Sequence, residues 1–185
     1  MRLDRPRIEP LANGELDDEQ REVLAGFGGH VLNIFRTMAR APKALKRFNL
    51  WGGYILSDRN SLGARERELL ILRTGWLCRS GYEWVQHTRI GLQSGLTREE
   101  IERIKIGPDA NGWSASDAAL LRVADDLVGD FFVSDATWAR LGDLTEKQRM
   151  DAVFTVGQYT QVSMFLNSFG VQLEAGQMLD ADFPQ

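Results

Sequence analysis

From Asp17 to Phe169 the apolar residues recur at the three- to four-residue spacing of a helix face. No run alternates in the two-residue rhythm of a half-buried strand. That pattern restricts the chain to an all-α bundle of about eight or nine helices. Punctuation sets the boundaries. Asp17 or Asp18 can cap a first helix that Gly28 and Gly29 stop near Phe27. A short helix follows from Val31 to Arg40, and Pro42 suits the first turn of one reaching about Leu56. Helices are expected over Ala64 to about Arg79 and Tyr82 to Gln93, the latter ended by Gly95. The Thr97/Glu100 capping box opens one to about Ile106. Ser114 or Ser116 starts one to about Gly129, Ser134 a short one, and Thr145 a long one to about Phe169. Residues 1–16 read as an extended arm, 17–178 as a single domain and 179–185 as a polar tail. The turn-rich 107–113 segment reads as a hinge within that domain.

Composition narrows the function. The 185 residues carry 22 Lys plus Arg against 26 Asp plus Glu, a net charge of −4 with no basic run, which argues against nucleic acid or an anionic membrane as partner. No apolar run reaches the roughly 18 residues of a membrane span, and the first ten residues are charged and proline-broken, so a cytoplasmic location is expected. One cysteine, Cys78, allows neither an internal disulfide nor a dithiol cycle, and one Cys with two His is too few for a Cys/His zinc site. Acid/base chemistry near neutral pH falls to His30 or His87. His30, after two glycines at a helix start, suits a capping or packing role.

Tyr82, Glu83, Trp84 and His87 lie on one helix, with Glu83 and His87 four residues apart and so on a shared face. A carboxylate bonded to one imidazole nitrogen fixes the tautomer and makes the other nitrogen the better base. Glu68, on the preceding helix, could reach His87 from an antiparallel neighbour. The same spacing is also that of a surface ion pair with Trp84 packed inward.

The runs Glu68-Leu-Leu-Ile-Leu-Arg73, Tyr82-Glu83-Trp84-Val85-Gln86-His87 and Gly95-Leu96-Thr97 resemble the carboxymuconolactone decarboxylase family, which shares its fold with alkylhydroperoxidase D. The segment from Asn33 to Pro42 looks like the opening of longer family members. The peroxidase branch carries Glu-x11-Cys-x2-Cys-x3-His. On this chain the Glu falls on Glu68 and the His on His87, while the thiol positions hold Ser80 and Glu83. Neither side chain can do the redox work of a thiol. Cys78 lies two residues, about 200° of helix, before the first thiol position and should point away from it.

The resemblance therefore implies a decarboxylase-type lyase or isomerase of aromatic-compound catabolism, with no metal or organic cofactor. His87 is the general acid/base and Glu83 or Glu68 orients it. The implied substrate is a small, anionic lactone or aromatic acid. Arg36, Arg65, Arg67 and Arg73 are candidate cations, Arg36 preferred; for Arg65 and Arg67 a solvated network with Glu66 and Glu68 is the plainer role. Ser80, Tyr82 and Trp84 are further substrate-binding candidates, Trp84 also suiting the core. A homo-oligomer (dimer, trimer or hexamer) is implied as well. A peroxidase-related protein and a non-catalytic ligand-binding member are the alternatives.

Overall fold

The computed structural model describes residues 1–184. Among them are nine α-helices and no strand: α1 Asp18–Ala25, α2 Asn33–Met38, α3 Pro42–Leu56, α4 Ala64–Leu77, α5 Gly81–Gln93, α6 Arg98–Ile106, α7 Ala115–Asp130, α8 Asp135–Arg140 and α9 Glu146–Phe169. The starts follow local chemistry. Asp17, Thr97, Ser114, Ser134 and Thr145 each accept a hydrogen bond from a backbone N–H of their own first turn, and Pro42 occupies the first turn of α3. Each such cap stabilises a helix by about 1 kcal/mol. None of the described helices is long and apolar enough to cross a membrane.

The central element is α4, which packs against α5, α6, α7 and α9. Every residue from Arg67 to Gly75 is buried, so its polar side chains have no water and must find partners inside. Arg67 donates to the carbonyls of Leu62, Ser57 and Leu56, tying α4 to the end of α3. Arg73 makes a two-pronged pair with Asp125 and also donates to the carbonyls of Ile104 and Lys105. Arg65 pairs with Glu100 and Asp117. The cations at 65 and 67 are thus half-buried or buried structural clamps, not a solvated network with Glu66 and Glu68. Packing around α4 turns their exposed-looking sequence context inward.

The α4–α5 connection is tight. Arg79 turns the chain with φ 51°, and α5 begins immediately after Ser80. Gly91 lets the two helices approach, because a Cβ there would lie 3.0 Å from Leu96 Cδ1 and 3.2 Å from Leu72 Cδ1.

The hinge expected at 107–113 is pinned. Gly107 has φ 109° and lies under the Arg73 guanidinium, the Trp113 indole donates to the Gly107 carbonyl, and Arg103 donates to that of Gly112. Both ends of the chain are docked too. The arm contains a 3-10 turn at Asn13–Glu15, donates from Arg7 and Ile8 to the Phe169 carbonyl, and buries Leu11 beside Leu24 and Leu45. The segment expected as a polar tail buries Phe183 against Trp76 and Trp84, while Asp180 and Asp182 engage Lys105. One aromatic residue among polar neighbours suffices to dock it, because burying a phenylalanine side chain contributes roughly 1.5–3 kcal/mol. Gln185 lies outside the described residues.

Candidate functional site

Glu68 on α4 and His87 on α5 meet where the two helices pack. His87 Nδ1 lies 2.8 Å from Glu68 Oε2. On the other side of the ring, Nε2 lies 3.3 Å from Glu83 Oε2. That second contact is close enough for charge to act across it but out of line for a hydrogen bond, and Glu83 Oε2 has no hydrogen-bond partner. All three side chains are more than nine-tenths buried. An imidazole between two carboxylates in a dry site is a costly arrangement to keep for stability alone. It is also the arrangement that moves pKa values toward neutrality.

Burial pushes the Glu83 carboxyl up to about 7; His87 beside it pulls the other way and Glu68 reinforces the rise. For His87 burial opposes the cation, but the charge and hydrogen bond of Glu68 and the charge of Glu83 outweigh it, and the imidazole's pKa rises. Near neutral pH the pair therefore holds an exchangeable proton.

Glu83 and His87 sit at the floor of a cleft of about 490 Å³. Its walls are largely apolar: Phe27 after α1, Leu32, Ile34 and Phe35 at α2, Phe48 on α3 and Val162 on α9. The α5 face that lines it carries Tyr82, Glu83, Gln86, His87, Arg89 and Ile90. Glu68 lies behind His87 and is not part of the lining. Among the described residues no His, Cys, Asp and Glu group is arranged to hold a metal ion.

The other sequence candidates divide. Tyr82 lines the cleft with its ring, and its hydroxyl donates to Glu174 at 2.7 Å. Trp84 faces the opposite way, into a cluster with Trp76 and Phe183, and its indole donates to Asp180. Ser80 is fully buried at the start of α5, outside the cleft lining. Arg36 does not line the cleft either. Its guanidinium is spent on the carbonyls of Val31 and Leu11 and on Asn13, holding the arm in place. Arg73 is equally committed, to Asp125 and two carbonyls. The cation on the cleft wall is Arg89, exposed at its edge. Cys78 ends α4, half-buried and away from the cleft, and burial raises its thiol pKa.

Most of the lining was not among the candidates, including the polar residues Asn49, Gln86, Arg89, Gln158 and Tyr159. Arg89 could have been found, since it follows His87 on the recognised helix. Gln158 and Tyr159 carry only the weak signal of a polar pair inside the long helix α9.

Residues 42–126 match the carboxymuconolactone decarboxylase family. No curated protein matches the chain. Among solved structures, an uncharacterised peroxidase-related protein with the alkylhydroperoxidase AhpD core from Ralstonia eutropha JMP134 superposes with a TM-score of 0.76 at 19% identity, covering 92% of this chain and 95% of that one. A peroxidase-related protein from Silicibacter sp. TM1040 gives 0.76 at 15% identity, with 98% and 96% covered. A single-residue variant of the debrominase Bmp8, in complex with 2,3,4-tribromopyrrole, gives 0.77 at 13% identity, with 93% and 94% covered. At these identities the likeness is one of fold: the all-helical AhpD-like bundle.

Proposed function

For a chain whose residues 42–126 match the carboxymuconolactone decarboxylase family, we propose a lyase or isomerase that moves a proton on a small carboxylated lactone or aromatic-acid metabolite. The observation that carries this reading is His87 clamped between Glu68 and Glu83 at the floor of an apolar cleft. Glu68 takes one imidazole nitrogen and sets the ring's orientation. The other nitrogen and Glu83 hold the proton that faces the cleft.

In the decarboxylating direction, the bond between the substrate carbon and its carboxylate breaks and carbon dioxide leaves. The electron pair passes into the substrate's own conjugated carbonyl, giving a dienolate. His87, with Glu83, then delivers a proton to the ring carbon, and solvent restores it. A placed acid of this kind contributes roughly 10²–10⁴-fold in rate. The apolar walls exclude water and strengthen each charge interaction inside. Arg89 at the cleft edge offers a guanidinium to a substrate carboxylate.

The test is turnover of carboxylated muconolactones and related aromatic-acid metabolites by wild type and His87→Ala. Loss of turnover in the variant supports the mechanism. Absence of turnover by wild type across that panel, or an unimpaired His87→Ala, overturns it.

A further inference from the structure

The Glu68–His87–Glu83 set handles a proton, yet two buried polar side chains on the α9 wall have no part in it. Gln158 and Tyr159 are only 4% and 6% exposed. Both line the cleft. The Tyr159 ring stands nearly perpendicular to that of His87, with centroids 4.8 Å apart. Among the described residues, neither the Tyr159 hydroxyl nor the Gln158 amide has a hydrogen-bond partner. Asp151 and Thr155 on the same helix differ in this respect. Asp151 accepts from Tyr54, Ser61 and Lys147, and Thr155 donates to the Asp151 carbonyl.

Neither polar end is among the sealed, partnerless atoms of the interior, so both open into the cleft. A polar atom there is satisfied by water or by what the cleft binds, and a bound molecule that displaces the water meets both side chains together. The chemistry of that molecule can be read from what they offer. A phenol gives one O–H donor and a carboxamide two N–H donors beside its carbonyl acceptor, so the group that can take a donor from both at once is an electron-rich oxygen. Burial, reinforced by the charges of Glu83 and Glu68, raises the Tyr159 phenol well above its ordinary range, which keeps it protonated.

We propose that Tyr159 and Gln158 form a two-donor site for the substrate oxygen on which negative charge develops, which makes the substrate an enolisable oxo compound. This rests on the proton-transfer reading above and adds to it a place for the charge. The proton is held on α5 and the charge is received on α9, across one cleft. As the proton passes from the His87/Glu83 pair to carbon, the enolate's electron pair forms the new C–H bond and the carbonyl is restored. The raised Glu83 carboxyl lowers the negative charge that would otherwise repel that oxygen.

The probe is 4-nitrophenol, whose ionised form carries delocalised charge on a single oxygen and reports its own ionisation by absorbance. Wild type is expected to bind it as the phenolate near neutral pH. Tyr159→Phe and Gln158→Leu should each weaken binding by about 10-fold or more, the scale of one hydrogen bond to a charged oxygen. The thermal midpoint of Tyr159→Phe should match wild type, because the lost hydroxyl bonds to no other residue. Failure of wild type to bind, preference for the neutral phenol, or wild-type affinity in both variants overturns the proposal. Because the readout is binding without turnover, its failure is distinct from failure of the His87 mechanism.

Discussion

Glu68 and His87, 19 residues apart, meet at 2.8 Å across the packed α4 and α5 helices. Under the proposed mechanism the contact gives Glu68 a positioning role, because it reaches the cleft only through the imidazole it holds. Glu68→Gln should therefore lower the pKa of His87, since it removes the charge and weakens the hydrogen bond that raise it. The ring proton resonances of the two histidines follow this directly, with exposed His30 as reference. Turnover should drop by roughly 10- to 100-fold, the usual cost of losing such an orienting partner. A His87 titration unchanged in the variant would refute the assignment.

Glu83 gives the site a signed pH dependence. Its carboxyl rises from 4.5 unfolded to about 7 folded, so the folded chain binds the proton more tightly. This linked stability is present below about 4.5 and is lost as pH rises toward 7. His87, raised above 6.5, acts in the same sense, losing its contribution as pH rises through its folded value. Urea unfolding across this range should show Glu83→Gln retaining about 1–3 kcal/mol that wild type loses. The kcat/KM of wild type, dependent on the protonated pair, should fall above about pH 7.

Gly91 is held to zero side chain by the helix packing. Gly91→Val would push a Cβ and two Cγ atoms against Leu96 and Leu72 and separate α4 from α5 at the level of Glu68. Overpacking of this kind costs about 1–3 kcal/mol. Chemical denaturation measures that loss, and the His87 titration should shift downward as in Glu68→Gln.

Cys78 should be a slow thiol. Burial raises its pKa, and it lies outside the cleft. Labelling by an aromatic disulfide near neutral pH should be at least about 10-fold slower in the folded protein than in denaturant. Cys78→Ser should leave turnover of the carboxylated substrate intact. Peroxide consumption abolished by Cys78→Ser would favour the peroxidase-related reading instead.

Phe183→Ala should destabilise the chain by about 2–4 kcal/mol, because it empties the pocket formed with Trp76 and Trp84. Thermal unfolding checks it. A neutral result would mean that the terminal segment adds no stability to α5.

What was legible in the sequence was whatever is decided locally. Pro42, the Thr97/Glu100 box and Thr145 write their helix starts into the chain, and those starts agree with the structure to within a residue or two. Glu83 and His87 share a helix, so their facing was readable from spacing. Glu68 needed the family pattern, since nothing local says that α4 and α5 pack at that register. Long-range placement was not legible. Arg36 sits in a recognised segment, yet its guanidinium is consumed by carbonyls of a docked arm that reads as extended. Gln158 and Tyr159 face the cleft only because α9 packs on α4 in a particular register. Phe183 is hidden by acidic neighbours that prove to be partners of Lys105.

Glu68, Glu83 and His87 come from one short hairpin, α4 and α5, whereas the apolar wall facing them comes from α2, α3 and Val162 of α9. The acid/base set and most of the apolar wall opposite it therefore lie on separate stretches of chain. Substitution at Phe35, Phe48 or Val162 can reshape what is admitted without disturbing how the proton is handled. Under the proposed mechanism, the fit of the cleft and the acid/base geometry are therefore separately tunable.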